Sequence, residues 1–305
     1  MKNYINLPPK TSSLLFWRSS SFMLLIIVFI LFITTLNKNN TNPENLVKNT
    51  RDESNPEELV LPENGVELPI VWGDLGGKLI EDGVINEVAF RKLYPEGLGA
   101  KEEQMLTDEF QGSVIMTQQN SGYLLNLLWA FGLANRNEIL INGEMSDPRY
   151  GGDASRFAST GGWILAKGDV MDHYSAHKYL ELTESQQELV EKVAYGVYRP
   201  CCGNSTHFPD CNHGMAMLGL LQLMAANNVS EEDMYKFALK VNSYWFPQTY
   251  LDLATYFKEQ GIDWTEVDPK VVLGSTYSSG QGYAETRKQI KSLPSPDTFG
   301  SGCGV

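Results

Sequence analysis

The sequence predicts a mainly α-helical protein, with a single multi-helical globular domain behind one N-terminal transmembrane helix and a disordered tether. From residue 71 onward, apolar residues recur at helical spacing, whereas convincing alternation with a period of two is scarce. The chain has 305 residues and 42% hydrophobic content, which is enough to bury a full core. No internal repeat indicates a solenoid, so we expect one folded domain.

The N-terminal segment predicts the membrane anchor. Residues 19–36 are uncharged and contain an apolar run near the minimum length for crossing a bilayer. The charges upstream are Lys2, Lys10 and Arg18, so the positive-inside rule places the tail 1–18 in the cytoplasm. No small-residue cleavage site follows, which favours an uncleaved signal anchor over a cleaved signal peptide. We expect a single-pass membrane protein whose C-terminal domain is extracytoplasmic.

Composition divides the rest of the chain into three parts. Residues 37–70 are rich in Asn, Glu and Pro without a sustained apolar period, which predicts a flexible linker. Residues 71–293 form the predicted helical domain, and residues 294–305 are a Pro-, Ser- and Gly-rich tail that contains Cys303. The net charge of −13 disfavours nucleic acid as a partner. The membrane is the one partner that the sequence indicates, and no protein partner is identified.

The first helices follow from spacing and capping residues. Apolar residues at helical spacing predict a helix over 74–85, and Asn86 can cap a second helix that runs to about residue 94. Residues 118–133 are the most apolar part of the domain, which predicts a central buried helix. Residues 142–169 are rich in glycine and small polar residues, which predicts a long ordered loop of functional importance.

The C-terminal half predicts further capped helices. Thr183 and Gln186 have the spacing of a capping box, for a helix that reaches about residue 198. Asp210 or Asn212 is the expected N-cap of a helix over 213–226. The remaining helices are expected to start at residue 230, to follow Pro247 as far as residue 260, and to span about 282–292.

Cysteine and histidine are concentrated between residues 173 and 213. Within 13 residues the chain places five potential soft ligands, Cys201, Cys202, His207, Cys211 and His213. Thiolate and imidazole ligands select Zn(II), Cu(I) or an iron–sulfur cluster. The spacing matches no standard zinc finger, because the chain has no Cys-x-x-Cys pair.

Two neighbouring features refine this hypothesis. Met217 is four residues after His213 and shares its helix face, which favours copper(I), although methionine at helical spacing is usually core packing. Cys211 lies near a predicted helix N-terminus, which lowers a thiol pKa and supports metal ligation and redox chemistry equally. Four cysteines outside the cytoplasm also fit two structural disulfides, in which Cys201 and Cys202 pair with Cys211 and Cys303.

His173 and His177 form a separate pair. If their segment is helical, they share one face in the manner of a helix-borne zinc pair, with Asp172 as a partner that orients one ring. The alternative is two histidines with ordinary hydrogen bonds.

The motifs of common enzyme classes are missing from the sequence. It contains no GxSxG, HExxH, Walker A or Rossmann glycine pattern. A cysteine nucleophile with His207 or His213 as base and Asp210 as orienting group can be drawn, but residues this close on one loop seldom reach that geometry. The sequence favours a non-enzymatic protein without deciding the point.

The cysteine block carries a family resemblance. Residues 198–206 and 208–221, which include PCCGNST and FPDCNHGMAMLGLL, together with residues 127–135, resemble a family of uncharacterised, membrane-anchored bacterial proteins. The resemblance covers about residues 71–305. It implies a bacterial, extracytoplasmic protein and supplies no mechanism.

The leading hypothesis is therefore an extracytoplasmic, membrane-anchored domain that binds a soft metal ion, copper or zinc. Cys201, Cys202, Cys211 and His213 are the expected ligands, and His207 and Cys303 are reserve ligands. The alternatives are a thiol–disulfide redox protein that uses the same cysteines and a disulfide-stapled scaffold that contacts a partner.

Overall fold

The computed structural model describes residues 56–292, and these residues fold as one mainly helical unit. In the first half the α-helices are α1 (Pro56–Val60), α2 (Leu75–Glu81), α3 (Glu87–Arg91), α4 (Ala100–Thr107), α5 (Ser121–Ala134) and α6 (Glu138–Asn142). In the second half they are α7 (Glu184–Gly196), α8 (Asn212–Ala226), α9 (Glu231–Trp245), α10 (Pro247–Glu259), α11 (Pro269–Val272), α12 (Ser275–Ser278) and α13 (Gly280–Arg287). The predicted helical class is confirmed.

Extended structure is short in this part of the chain. Strand β1 (Val66–Glu67) pairs antiparallel with β2 (Ile115–Met116), with Val66 opposite Met116. Between α6 and α7 the backbone forms loops and single 3₁₀ turns, including Glu144–Ser146, Pro148–Tyr150 and Ala154–Arg156. The predicted long loop over 142–169 therefore contains local helical turns.

Most predicted helix starts are confirmed by the caps. Asn86 accepts a hydrogen bond from the backbone N–H of Ala89 at 3.2 Å. Thr183 and Gln186 form both bonds of a capping box, and Ser230 caps α9. Each cap satisfies backbone donors that the first helical turn leaves free.

The expected cap of α8 is wrong. Neither Asp210 nor Asn212 holds that position, because Cys211 is the N-cap and its Sγ accepts from the backbone N–H of Gly214 at 3.4 Å. Asp210 instead pairs with the buried Arg199. A thiol at a helix start experiences the positive end of the helix dipole.

Helices α5 and α8 pack against each other at the centre of the molecule. Both helices are buried around most of their circumference. The central buried helix that the apolar residues 118–133 predict is thus confirmed. Gly132 and Gly219 face each other at the crossing. A Cβ on Gly132 would lie 2.2 Å from the backbone oxygen of Met215, and a Cβ on Gly219 would lie 2.5 Å from that of Leu128. The absence of side chains lets the two backbones approach closely.

The crossing leads to a stability prediction. We expect Gly132→Ala to lower the free energy of unfolding by about 1–3 kcal/mol, because the added methyl meets backbone that cannot turn aside. Gly122→Ala is the matched control on the same helix, where a Cβ meets nothing within 4 Å. Urea denaturation of both variants checks the difference. Equal stability of the two variants would show that the crossing tolerates a methyl group.

The folded unit starts earlier than predicted. Residues 56–70 were expected to belong to the tether, but Val60, Leu61 and Leu68 are buried in the hydrophobic core. Lys240 of α9 also donates to the backbone oxygen of Leu59 at 2.8 Å. The apolar residues of this stretch lie in two short groups, 59–61 and 66–70, separated by Pro62, Glu63, Asn64 and Gly65. Neither group is long enough for its period to distinguish a folded segment from a linker.

No helix within residues 56–292 is long and apolar enough to cross a membrane. The predicted membrane segment 19–36, the tail 1–18, most of the predicted linker and the tail 294–305 lie outside the described residues.

Candidate metal centre

A buried arginine organises the cysteine loop. The Arg199 side chain is 1% exposed. Its Nε donates to Sγ of Cys211 at 3.0 Å, and its terminal nitrogens donate to the backbone oxygens of Asn204 and Phe208, both at 3.0 Å, and to the carboxylate of Asp210. A buried cation is tolerated only when its donors are satisfied and its charge is compensated. The Arg199 side chain thus connects the Asn204 part of the loop with the Phe208–Cys211 part through hydrogen bonds.

Two glycines make room for this arrangement. A Cβ on Gly214 would lie 2.5 Å from Cζ of Arg199, so the guanidinium lies directly on the first turn of α8. Gly280, the first residue of α13, donates its backbone N–H to the backbone oxygen of Cys202 at 2.7 Å. A Cβ there would come within 3.0 Å of the backbone oxygen of Pro200. The loop is therefore fixed from two sides.

The close contact at Gly214 can be tested. We expect Gly214→Ala to lower the free energy of unfolding by about 1–3 kcal/mol and to weaken metal binding, because it displaces Arg199 from the thiol. Gly203→Ala, in the same loop with nothing within 4 Å of its Cβ, is the control and should change neither property. Denaturation and metal titration of both variants give the two readouts. Unchanged stability and affinity in Gly214→Ala would contradict the packing role.

The loop brings the three described cysteines together as free thiols. Sγ of Cys201 lies 3.5 Å from Sγ of Cys211. Sγ of Cys202 lies 3.8 Å from Oδ1 of Asp210. Hydrogen bonds from Cys201 and Cys202, together with the charge of Arg199, hold the pKa of Cys211 far below its usual range against the effect of burial. The preferred state of Cys211 is the thiolate.

The other two thiols keep their protons. Hydrogen bonds with Cys202 and Cys211, together with burial, raise the pKa of Cys201 far above its usual range. The pKa of Cys202 is raised to about 11: the hydrogen bond with Cys201 lowers it, but the bond to Cys211 and burial raise it by more. The metal-free form of the loop is therefore expected to hold one thiolate and two thiols near neutral pH.

This charge state gives a pH prediction for the metal-free, reduced protein in the Cys303→Ser background, which leaves the three cysteines of the loop. We expect the far-ultraviolet absorbance of one thiolate to persist when the pH is lowered from about 9 to about 6, whereas an ordinary thiol, with a pKa of about 8.5, is largely ionised at the higher pH and protonated at the lower. Adding Arg199→Met should make the absorbance fall on acidification, because the thiolate loses its buried cation. An absorbance that titrates near pH 8.5 without that substitution would contradict the assignment.

Two overlapping ligand sets result. Cys201, Cys211 and His213 place one ligand atom each within 4.8 Å of one another, and so do Cys202, Asp210 and Cys211. Two thiolates on one tetrahedral zinc ion, at about 2.3 Å each, are separated by about 3.8 Å. The 3.5 Å between Cys201 and Cys211 differs from that spacing by a few tenths of an ångström. This cysteine, histidine and aspartate cluster can hold a metal ion.

His213 closes one side of the cluster. Its ring packs against Phe246, with centroids 4.5 Å apart, and against Trp245 at 5.7 Å. Its Nδ1 is buried and makes no hydrogen bond to any residue that the structure describes. A buried polar atom without a partner is costly unless a ligand satisfies it.

The other predicted ligands are placed elsewhere. Nδ1 of His207 lies 2.7 Å from Oε2 of Glu144, and its ring stacks on Tyr195 with centroids 3.7 Å apart. It belongs to neither described ligand set. Met217 is buried in the hydrophobic core, as expected of packing. Cys303 lies outside the described residues.

Two functional features were missed by sequence reasoning. The role of Arg199 was not recognised, although an arginine directly before Pro-Cys-Cys in a strongly acidic chain was a usable signal. The sequence indicates Asp210 as a cap or an orienting group, whereas the structure places its carboxylate beside Cys202 and Cys211, where it could hold an ion with them.

In comparisons with protein-family models, curated proteins and solved structures, the chain has no match. The fold and the site alone define the class: a mainly helical domain that carries a cysteine, histidine and aspartate cluster able to hold a metal ion.

Proposed function

We propose that this chain is an extracytoplasmic, membrane-anchored protein that binds one soft metal ion, copper(I) or zinc(II). The single observation that carries the proposal is the convergence of Cys201, Cys211 and His213 within 4.8 Å. Cys202 and Asp210 are further candidate ligands, in a second set that shares Cys211. Thiolate and imidazole together favour these two ions over hard cations such as calcium or magnesium.

The arginine supports a site that is formed before the ion arrives. Arg199 compensates the negative charge of Cys211 and keeps its sulfur ionised, so a metal ion meets a ready thiolate. A thiolate and not a thiol is the ligand. Cys201 and Cys202 would release their protons on coordinating the ion, because coordination lowers thiol pKa values strongly.

The proposed location follows from the N-terminal sequence. Residues 19–36 act as the anchor and the domain faces outward, in accord with the basic tail before them. Protease added to spheroplasts, whose outer envelope has been removed, should degrade the domain of the full chain. Complete protection, with degradation only after lysis, would contradict an outward-facing domain.

A second function rests on the same two sulfurs. Sγ of Cys201 and Sγ of Cys211 are 3.5 Å apart, and a disulfide requires about 2.05 Å, so a small movement of one side chain joins them. In that case the Cys211 thiolate attacks a partner's disulfide, and Cys201 then resolves the mixed disulfide. The partner leaves as a dithiol, while Cys201 and Cys211 become the disulfide.

One preparation separates the two functions. The full chain is purified in detergent without added metal or reductant, then measured by elemental analysis and by counting thiols before and after reduction. Metal binding predicts copper or zinc near one equivalent with reduced thiols. A metal-free protein whose thiols cycle at a mild potential favours the redox function. A protein that contains no metal and whose four cysteines are unreactive would contradict both functions. It would favour a scaffold whose cysteines only form structural disulfides.

A further inference from the structure

A second group of ligand-type side chains lies outside the cysteine loop, where His173 and His177 meet. Nδ1 of His173 lies 3.1 Å from Nε2 of His177. On the outer sides, Nε2 of His173 lies 3.2 Å from the backbone oxygen of Lys167, and Nδ1 of His177 lies 3.4 Å from Oδ2 of Asp82. Each ring therefore directs one nitrogen at the other ring and one nitrogen at an oxygen.

The segment is not the helix that would place the pair on one face. Val170–Asp172 is a single 3₁₀ turn, and Ser175 has a positive φ of 51°. The orienting carboxylate comes from Asp82, which is distant in sequence, while Asp172 is exposed. Spacing alone indicated the pair, and tertiary packing supplies its partners.

The outer oxygens determine where the ring protons lie. The carbonyl of Lys167 only accepts hydrogen bonds, so Nε2 of His173 carries a proton and its Nδ1 has a lone pair. Oδ2 of Asp82, 3.4 Å from Nδ1 of His177, favours a proton on that nitrogen as well. With both protons directed outward, the inner nitrogens of His173 and His177 face each other with two lone pairs at 3.1 Å. A metal ion between them makes this contact favourable, and in the metal-free protein a proton takes that position.

We propose that Nδ1 of His173 and Nε2 of His177 chelate one divalent transition-metal ion of the kind that prefers imidazole, such as zinc(II) or nickel(II). With metal–nitrogen bonds of about 2.0–2.1 Å, two nitrogens on one ion are separated by about 2.9–3.4 Å for angles between square and tetrahedral. The observed 3.1 Å lies within that range. This site is independent of the cysteine cluster and does not require its ligands.

The surroundings have the features of an outer coordination sphere. Metal-bound histidines usually donate their other N–H to a carboxylate or a carbonyl, which fixes the tautomer and the ring orientation. Asp82 and Lys167 supply one of each. The backbone oxygen of Gly83 accepts from the N–H of Lys167 at 2.8 Å. This bond holds Asp82, the residue before Gly83, next to Lys167. The ring of Tyr179 stacks on His177, with centroids 5.1 Å apart and planes 4° from parallel.

An ion reaches this pair from one side. His173 is 7% exposed, whereas the side chain of His177 is 21% exposed and that of Asp82 is 43% exposed. The remaining coordination positions are taken by water at that opening. Two imidazoles with water ligands favour zinc(II) or nickel(II) over copper(I), which selects thiolate and thioether ligands.

The test uses nickel(II) as the probe and the full chain in detergent. Titration is carried out in the Cys211→Ser background, so that the cysteine cluster does not compete. We expect one equivalent to bind, and the addition of His177→Gln to weaken the affinity more than about 10-fold. His207→Gln is the matched control, since His207 is a buried histidine engaged with Glu144, and it should leave binding unchanged. Circular dichroism confirms that each variant is folded.

A second variant tests the outer sphere without removing a ligand. Asp82→Asn keeps the shape of a half-exposed side chain, and we expect it to weaken nickel(II) binding about 10-fold. Loss of the His173 Nδ1 signal in nitrogen NMR on nickel addition gives a readout independent of affinity. Equal binding by the parent, His177→Gln and Asp82→Asn proteins, or no binding by the parent, overturns the proposal and leaves a pair that shares a proton. Neither result bears on the cysteine site.

Discussion

Replacing Cys211 with serine is expected to abolish metal retention, with a loss of affinity of more than about 100-fold. Removing an outer-sphere partner already costs about 10- to 100-fold, and Cys211 is a direct ligand common to both described ligand sets. Its pKa is held far below the usual range, so its sulfur is a thiolate near neutral pH before any ion binds. A serine hydroxyl stays protonated and cannot replace it.

This substitution is a clean test because the fold should survive it. Cys211 is the N-cap of α8, and serine is among the best N-cap residues. The measurement is a competition titration with a chromophoric chelator in wild-type, Cys211→Ser and His207→Gln proteins. The His207 variant should bind as wild-type, because its ring contacts Glu144 and not the cluster. Unchanged occupancy in Cys211→Ser would remove Cys211 from the ligand set.

Replacing Arg199 with methionine is expected to lower the free energy of unfolding by about 3–5 kcal/mol in the metal-free protein. Removing one partner of a buried charge group leaves the remaining charges uncompensated, and this costs more than the lost contacts alone. Here the residual charges are the carboxylate of Asp210 and the thiolate of Cys211, and two backbone oxygens also lose their donor.

Two comparisons separate charge from packing. Arg149→Met removes an arginine whose side chain is 81% exposed in an ion pair with Asp147, and the urea midpoint should not move. Adding Asp210→Asn to Arg199→Met should recover part of the loss, because it removes one uncompensated charge. A loss below about 1 kcal/mol in Arg199→Met would show that the guanidinium is not the structural centre of the loop.

The helices were predictable because their signals are local. Capping by Asn86, Thr183 and Ser230 depends on residues within one turn, and the apolar character of α5 depends on composition alone. The start of the folded unit was not predictable, since Val60 and Leu68 gain their burial from distant elements. Sequence spacing carries no information about such contacts.

The residues of the candidate site also fall into those that local sequence signals indicate and those that depend on tertiary structure. Residue type and crowding indicated Cys201, Cys211 and His213, and the structure places them together. Crowding also suggested His207, but its ring points to Glu144 from the loop before α7. The role of Arg199 depends on full burial, and that of Asp82 on an approach from a different part of the chain to His177. Both roles arise from tertiary structure.

The central claim is that two cysteine sulfurs and one imidazole nitrogen bind one ion. X-ray absorption spectroscopy of the metal-loaded full chain measures this directly. For zinc, we expect at least two sulfur neighbours at about 2.3 Å and a nitrogen neighbour at about 2.0–2.1 Å, with the sulfur signal reduced in Cys201→Ser. A first shell of oxygen and nitrogen alone, with Cys201 and Cys211 joined as a disulfide, would contradict the claim.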